Sequence, residues 1–338
     1  MALAIGPLVG GLITEHIGWN WIFYINVPVG LIGLVAGRLI ITESKDTSRE
    51  QRLDLPGLLT SGVALFALVY ALTEANARGW TSPLILGLFA VALVSGIAFV
   101  LLELHQRLPL FDMTLFRNPT FAGANTVALL VSLAMFGVFF FISLYMQNVL
   151  GYSAVRAGAA FLPMTILIIL VAPIAGRSSD RLGSRWLMTA GMAMLSAALL
   201  VFAQLQTDSS YLSLLPGMLL GGLGMAITMT PMTAAALSSV PVDKAGVGSG
   251  MLNTFRQVGG SLGIAVMGAI LAAGTNSAIA SGDSEVDALL NGLHHSLYVA
   301  SAIALGGALV AAFTIRSHAR ERTAPETAGV PESISPTA

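Results

Sequence analysis

Ten long apolar stretches constrain the fold of this chain more than any other feature of its sequence. An α-helix needs roughly 20 apolar residues to cross the hydrocarbon core of a bilayer, because each residue advances the helix by about 1.5 Å. The stretches contain only four charged residues, Arg38, Glu74, Glu103 and Arg256. They run approximately over residues 1–14, 21–41, 56–74, 84–103, 120–145, 157–176, 186–206, 212–236, 246–272 and 295–315. The sequence therefore predicts an all-α polytopic membrane protein with about ten transmembrane helices.

The composition argues against several other classes of protein. Of the 338 residues 55% are hydrophobic and 10% are charged, and the mean hydropathy is +0.82. Soluble domains carry roughly 25% charged residues, so a soluble fold is excluded. The 16 basic and 17 acidic residues leave no excess of positive charge for binding nucleic acid. Because the chain has no cysteine, thiolate catalysis and Cys-ligated metal sites are excluded as well.

Positive charge is divided unevenly between alternate loops. Twelve Lys and Arg residues lie in loops 42–55, 104–119, 177–185 and 237–245 and in the tail 316–338, whereas the opposite set of loops holds Arg78 and Arg156. Lys and Arg collect on the cytoplasmic side of short loops. We therefore expect a multi-pass protein of the cell membrane with both termini in the cytoplasm. The tail, rich in Pro, Ser, Thr and Glu, is predicted to be a disordered cytoplasmic segment.

A glycine motif marks the first stretch. Gly6 and Gly10 are four residues apart and therefore share one helix face, where a neighbouring backbone can approach closely. Pro7 removes a helical hydrogen bond, and Gly11 adds a further small residue. Small residues at this spacing are common in ordinary packing of membrane helices, so a purely structural role stays open.

A second motif occupies the predicted cytoplasmic loop between residues 176 and 185. Gly176 and Gly183 suit helix ends and turns. Asp180 can face the N-terminus of a helix, and Arg181 and Arg185 can pair with it or with lipid phosphate. The loop is predicted to anchor the topology, to act as a conformational latch, or to do both.

Arg256 is the charged residue farthest from the end of a span. Its side chain can extend to the headgroups, or it can line a cavity together with Asn253 and Gln257. Four methionines recur at helical spacing in one span, and we expect them to pack in the core rather than to form a drug-binding surface. They are Met218, Met225, Met229 and Met232.

Neither a cofactor nor an enzymatic centre is predicted. No nucleophile, base and orienting acid cluster as they do in enzymes. His294 and His295 are adjacent and so lie on different sides of a helix, which argues against a metal site. None of the 17 acidic residues is in the middle of a span, and Glu74 and Glu103 are interpreted as interfacial carboxylates.

Three segments together resemble the major facilitator superfamily, and within it the fourteen-span drug:H⁺ antiporters. The first motif is similar to the antiporter motif of the family's fifth span, with Ala2 in place of its first glycine. Residues 21–30 resemble the opening of the sixth span. The second motif matches a loop motif of the superfamily, with Ser178 at a usually apolar position.

The resemblance implies that the chain begins within the fifth of fourteen spans. Residues 1–41 would then be the last two helices of an N-terminal bundle, the first of them truncated. Residues 42–119 would form two extra central helices with cytoplasmic linkers, 120–315 a complete C-terminal six-helix bundle, and 316–338 the tail.

The resemblance also implies a function, the proton-coupled efflux of lipophilic drugs or related small molecules. Its partners would be the lipid bilayer, the transported molecule and protons, and the sequence does not indicate an oligomeric state. The acidic residue of the family's first span is absent from this chain, so the expected proton-coupling group is absent too. Three alternatives remain: a remnant that does not transport, half of a transporter that needs a partner chain, and a metabolite exporter of the same fold.

Overall fold

The computed structural model describes residues 2–40, 54–106 and 111–316. Over these ranges the chain folds into helices and contains no strand, which confirms the predicted all-α class. The helices are α1 (Ala2–His16), α2 (Trp21–Tyr24), α3 (Asn26–Ile40), α4 (Leu55–Arg78), α5 (Pro83–His105), α6 (Pro119–Asn148), α7 (Ala154–Ala160), α8 (Leu162–Leu182), α9 (Ser184–Phe202), α10 (Tyr211–Ser238), α11 (Ala245–Ala280) and α12 (Glu285–Thr314). Two short 3₁₀ helices, Met113–Arg117 and Val242–Lys244, precede α6 and α11. The predicted disordered tail lies outside the described residues, apart from Arg316.

Nine helical segments in the described ranges are long and apolar enough to cross a membrane. Helix α1 is not one of them, because its 15 residues extend only about 22 Å. Two of the predicted spans are each built from two helices, with breaks at Ile25 and at Phe161. A proline follows each break, Pro28 in α3 and Pro163 in α8, and proline has no amide hydrogen to donate to the preceding turn.

The last two long helices extend well beyond the predicted spans. We expected residues 273–294 to connect two spans, but α11 continues to Ala280 and α12 begins at Glu285. Ser284 caps α12 by accepting a hydrogen bond from the backbone N–H of Asp287. The predicted spans, 246–272 and 295–315, cover only the most apolar part of each helix, whereas the 36 residues of α11 extend about 54 Å.

Helices α6 to α12 form a six-membered bundle in which α7 and α8 together make one member. Its core contains large buried side chains, among them Phe121, Phe141, Tyr145 and Phe202. The four methionines of α10 belong to this core or pack against it, which confirms their predicted role in packing.

Small residues bring the helices of the bundle close together. Gly259 and Gly263 of α11 lie against the backbone of Leu129 and Leu133 in α6, and a Cβ on Gly263 would be 2.5 Å from the Leu133 carbonyl oxygen. Between α9 and α12 the hydroxyls of Ser196 and Ser301 are 2.8 Å apart and each is 3.0 Å from the other residue's carbonyl oxygen. Both serines are buried, so these contacts satisfy polar groups inside the bundle.

The first five helices surround this bundle. Helix α1 packs against α7 and α8, while α4 pairs with α5 and also contacts α11. Helix α3 has no buried residue, so its apolar side chains face away from the rest of the described chain.

Candidate functional site

The glycine motif of α1 contacts the bundle through one residue. A Cβ on Gly11 would lie 2.5 Å from the carbonyl oxygen of Ala154, so the backbones of α1 and α7 touch there. Within the described residues no atom lies within 4 Å of the corresponding positions on Gly6 and Gly10. Successive residues are rotated by 100° around a helix, so Gly11 faces another direction than this pair. Within the described residues the close contact is therefore made by Gly11, whereas the expected contact at Gly6 and Gly10 stays a prediction. The side chain of Pro7 lies outside the described part.

Glu15 strengthens the same contact one turn farther along α1. Its Oε2 atom accepts a hydrogen bond of 3.0 Å from the backbone N–H of Val155. Ser153, the N-cap of α7, accepts a hydrogen bond of 3.3 Å from the backbone N–H of Arg156. The start of α7 is thus held by a carboxylate from α1. The role of Glu15 could not be predicted from the sequence, because no local pattern signals a partner 140 residues away.

The predicted loop at 176–185 is mostly helical. Helix α8 continues to Leu182 and α9 begins at Ser184, so Gly183 alone connects the two helices. Gly183 has φ 79° and ψ 151°, a conformation that only glycine adopts readily. Across this turn the hydroxyls of Ser179 and Ser184 are 2.8 Å apart. The expectation of a loop is wrong, because the polar residues of the motif form the last turns of α8.

The charged side chains of this motif lie in different surroundings. Arg181 is exposed, whereas Arg185 is half-buried with its guanidinium 5.0 Å from the centre of the Trp186 ring. Gly176 faces α10, since a Cβ there would be 3.2 Å from Thr230 Cγ2. The side chain of Asp180 lies outside the described part, so its role as a latch stays a prediction.

A cleft of about 580 Å³ lies between α4 and α11. It contains two of the three predicted cavity residues, Asn253 and Gln257, whereas Arg256 is half-buried and does not line it. The α4 wall consists of Leu65, Phe66, Val69, Tyr70, Thr73 and Glu74, and the α11 wall of Asn253, Thr254, Gln257, Val258 and Ser261. The structure thus places the amides of Asn253 and Gln257 in one cleft with the Glu74 carboxylate, which the sequence did not connect with them.

The contact between α4 and α11 is held by hydrogen bonds near the C-terminal end of α4. Asn76 Nδ2 donates to the carbonyl oxygen of Ala269 at 2.7 Å. Trp80 Nε1 in turn donates to Asn76 Oδ1 at 3.1 Å. Both polar groups of the Asn76 amide are used, so α4 is attached to the bundle at a defined position.

The other interfacial carboxylate, Glu103, lies at the C-terminal end of α5. It is buried, and its Oε2 atom accepts a hydrogen bond of 3.0 Å from the backbone N–H of Phe111. Asp54 caps α4 nearby by accepting a hydrogen bond of 2.8 Å from the backbone N–H of Gly57. These two acids therefore stabilise helix ends by accepting backbone hydrogen bonds, and the interfacial position of Glu103 stays a prediction.

An ion pair attaches the segment before α6 to the segment before α11. Lys244 Nζ donates to Asp112 Oδ2 at 2.7 Å, and Asn118 Nδ2 donates to the carbonyl oxygen of Ser239 at 3.1 Å. Burial raises the pKa of the Asp112 carboxyl, but hydrogen bonds from Lys244 and Thr114 outweigh it, so the pKa lies below its ordinary value of 3.8. Asp112 is therefore ionised at neutral pH and its ion pair is formed.

The sequence matches one protein family and several known proteins. Residues 1–264 match the Major Facilitator Superfamily. The chain is 34% identical to a tetracenomycin C resistance and export protein of Streptomyces glaucescens, over 98% of this chain and 69% of that protein. It is 37% identical to a multidrug resistance protein of Mycobacterium tuberculosis, over 79% and 50%, and 34% identical to a puromycin resistance protein of Streptomyces alboniger, over 91% and 62%. The chain thus spans between half and about two thirds of the length of these relatives.

Proposed function

Because the chain belongs to the Major Facilitator Superfamily, whose members are membrane transporters and not enzymes, we propose that it takes part in exporting lipophilic drugs or related small molecules from the cell. The observation that carries this proposal is the identity of 34 to 37% to proteins that are named for resistance or export. Export would be coupled to the inward flow of protons, by alternating access of a site between two helix bundles.

In this proposal the chain is the C-terminal part of a fourteen-span transporter. Residues 120–315 are its C-terminal bundle, 42–119 contain the two extra helices, and 1–41 belong to the N-terminal bundle. Support comes from α1, which packs on the outside of the six-membered bundle through Gly11 and Glu15. That contact would then join the two halves that move relative to each other during transport.

Proton coupling requires a group that gains and loses a proton within the membrane. Within the described spans the acidic side chains lie at helix ends, as Glu74 and Glu103 do. The coupling acid is therefore expected to come from upstream spans, and the chain alone should not perform proton-driven export.

The experiment compares two purified proteins in liposomes, the 338-residue chain and a version extended by four upstream spans. A pH gradient should drive a lipophilic dye across the membrane only with the extended version. Gradient-driven transport by the 338-residue chain would contradict the proposal that the coupling acid comes from the upstream spans. If the extended version moved a metabolite but no lipophilic drug, the alternative of a metabolite exporter would replace drug export.

A further inference from the structure

We propose that the cleft between α4 and α11 is a binding site for lipophilic cations. The site lies between the extra helix pair and the six-membered bundle, so it differs from a central site between two bundles. Its physiological role rests on the proposed export function, whereas binding itself can be measured without transport.

The α4 wall of the cleft has the chemistry of a cation site. The rings of Phe66 and Tyr70 are stacked, with centres 5.9 Å apart and planes 4° apart. They point away from the buried alanine face of α4, and 71% of Phe66 is exposed. Glu74 follows one turn after Tyr70 and adds a carboxylate to the same wall. Aromatic faces attract cations, and a neighbouring carboxylate strengthens this attraction in a medium of low dielectric constant.

The α11 wall supplies polar groups that have no partner in the described part of the chain. Asn253, Gln257 and Ser261 follow one another at intervals of four residues, so they line one face of α11. All three are exposed, and no hydrogen bond is formed by their side chains to described residues. Amide groups within a membrane span are costly to leave without hydrogen-bond partners. A ligand with polar groups beside its apolar body would provide them.

The dimensions of the cleft suit a small molecule. Its volume of about 580 Å³ lies within the roughly 300 to 1,000 Å³ of drug-sized binding pockets. A second cleft of about 450 Å³ shares Val69, Thr73 and Ser261 with it and extends toward the bond between Asn76 and Ala269. That hydrogen bond attaches α4 to α11 beyond one end of the cleft.

Glu74 already forms an ion pair with Arg78, but this pair does not exclude a cationic ligand. Arg78 Nε is 2.7 Å from Glu74 Oε2, but Arg78 does not line the cleft and its side chain is 50% exposed. Ion pairs between exposed residues are weak. A cation held on the aromatic rings can therefore compete with Arg78 for the carboxylate. The Glu74 carboxylate would not contribute to binding of a lipid acyl chain or a neutral ligand. Replacement of Glu74 therefore distinguishes these occupants from a cation.

The test measures equilibrium binding of tetraphenylphosphonium to the full chain in phosphatidylcholine nanodiscs, corrected for empty nanodiscs. We expect Glu74→Gln to weaken binding at least fivefold and Arg78→Gln to strengthen it, because the first removes the carboxylate and the second removes its competitor. Glu285→Gln, at an exposed acid of α12, is the matched control and should leave the affinity unchanged. Binding of neutral N-phenyl-1-naphthylamine should not respond to Glu74→Gln.

A second measurement keeps the proposal testable if Glu74→Gln fails to fold. The chain has no cysteine, so Ser261→Cys introduces a single reactive thiol in the cleft. Tetraphenylphosphonium should slow its alkylation severalfold, and should not affect Ser277→Cys, which lies on the same helix outside the cleft. Absence of protection, equal protection by the neutral probe, or unchanged affinity of Glu74→Gln would overturn the cation site.

Failure of this site and failure of the proposed function give different results. If the extended transporter exports drugs while Glu74→Gln binds tetraphenylphosphonium normally, only the cation site is contradicted. If the chain binds the cation through Glu74 but the extended version exports nothing, only the export function is contradicted.

Discussion

Glu15 Oε2 accepts a hydrogen bond of 3.0 Å from the backbone N–H of Val155, which attaches α1 to the first turn of α7. Gly11, one turn earlier, allows the two backbones to touch. A side-chain contact and a backbone contact therefore hold the same pair of helices. In the proposed transporter these contacts would link the two halves, and their strength would influence how readily the halves move.

Replacement of Glu15 should weaken the attachment of α1 to α7, by an amount that depends on the substitution. Glu15→Ala removes the hydrogen-bond acceptor, whereas Glu15→Gln keeps an oxygen that can accept from Val155 but loses the charge. We expect the unfolding temperature of the purified chain in detergent to be lowest for Glu15→Ala, intermediate for Glu15→Gln and highest for the unmodified chain. Glu285→Ala serves as a control at an exposed acid. Identical unfolding temperatures for all four proteins would show that the hydrogen bond does not matter.

The two neighbouring glycines of α1 should respond differently to one added methyl group. Gly11→Ala places a Cβ 2.5 Å from the Ala154 carbonyl oxygen, and overpacking of this kind typically costs about 1 to 3 kcal/mol. No described atom lies within 4 Å of a Cβ on Gly10, so Gly10→Ala should be tolerated. Unfolding in detergent measures the stability of both variants. If Gly10→Ala were the more destabilising substitution, the contact would be at the position that the sequence motif indicates, and the packing of α1 described here would be incorrect.

The orientation of the chain can be read from single cysteines, since none is present to interfere. Thr81→Cys and Thr207→Cys, both at exposed positions of predicted outer loops, should react with an impermeant thiol reagent added to intact cells. Val242→Cys, at a residue that is 93% exposed on the predicted cytoplasmic side, should react only after permeabilisation. The reverse pattern would contradict cytoplasmic termini. Ser179 would be a poor probe because it is buried.

The ion pair between Asp112 and Lys244 predicts a defined pH dependence. The pKa of Asp112 is lowered in the folded chain, so its contribution to stability is complete above the unfolded pKa of about 3.9 and disappears as the pH falls through the lower folded value. Lys244→Met should therefore reduce stability by about 0.5 to 1 kcal/mol from pH 8 to 5, and the difference should shrink below pH 4. Unfolding curves across this range provide the measurement. A difference that appeared only near pH 6 to 7 would implicate another group, and Asp243→Asn should show no such trend.

Asp180 is expected to act as a conformational latch rather than as a determinant of topology. Lys and Arg determine topology and acidic residues contribute little, so a topology anchor would tolerate Asp180→Asn. A carboxylate near a helix N-terminus contributes about 0.3 to 1 kcal/mol when exposed and up to about 2 kcal/mol when partly buried. Since 1.4 kcal/mol alters a population ratio tenfold, the substitution should slow export by the extended transporter while surface expression stays normal. Normal export would remove Asp180 from the candidate site.

The sequence determined by itself that this chain is a bundle of membrane helices, because the length of an apolar stretch and the thickness of a bilayer are enough for that inference. It also indicated the family, through motif residues that match in type and spacing. The core role of Met218 and Met225 followed from their helical spacing in an apolar span. These features depend on residues close together in the chain.

Only the tertiary structure decided which of these residues meet. Gly11 rather than Gly10 touches α7, because contact depends on how α1 is rotated about its axis, and both glycines look alike in the sequence. Glu15 meets Val155 and Glu74 shares a cleft with Gln257 because helices distant in the chain are packed side by side. Hydropathy likewise did not reveal that α11 and α12 continue beyond the apolar stretches, because polar residues in water can remain helical when a neighbouring helix packs against them.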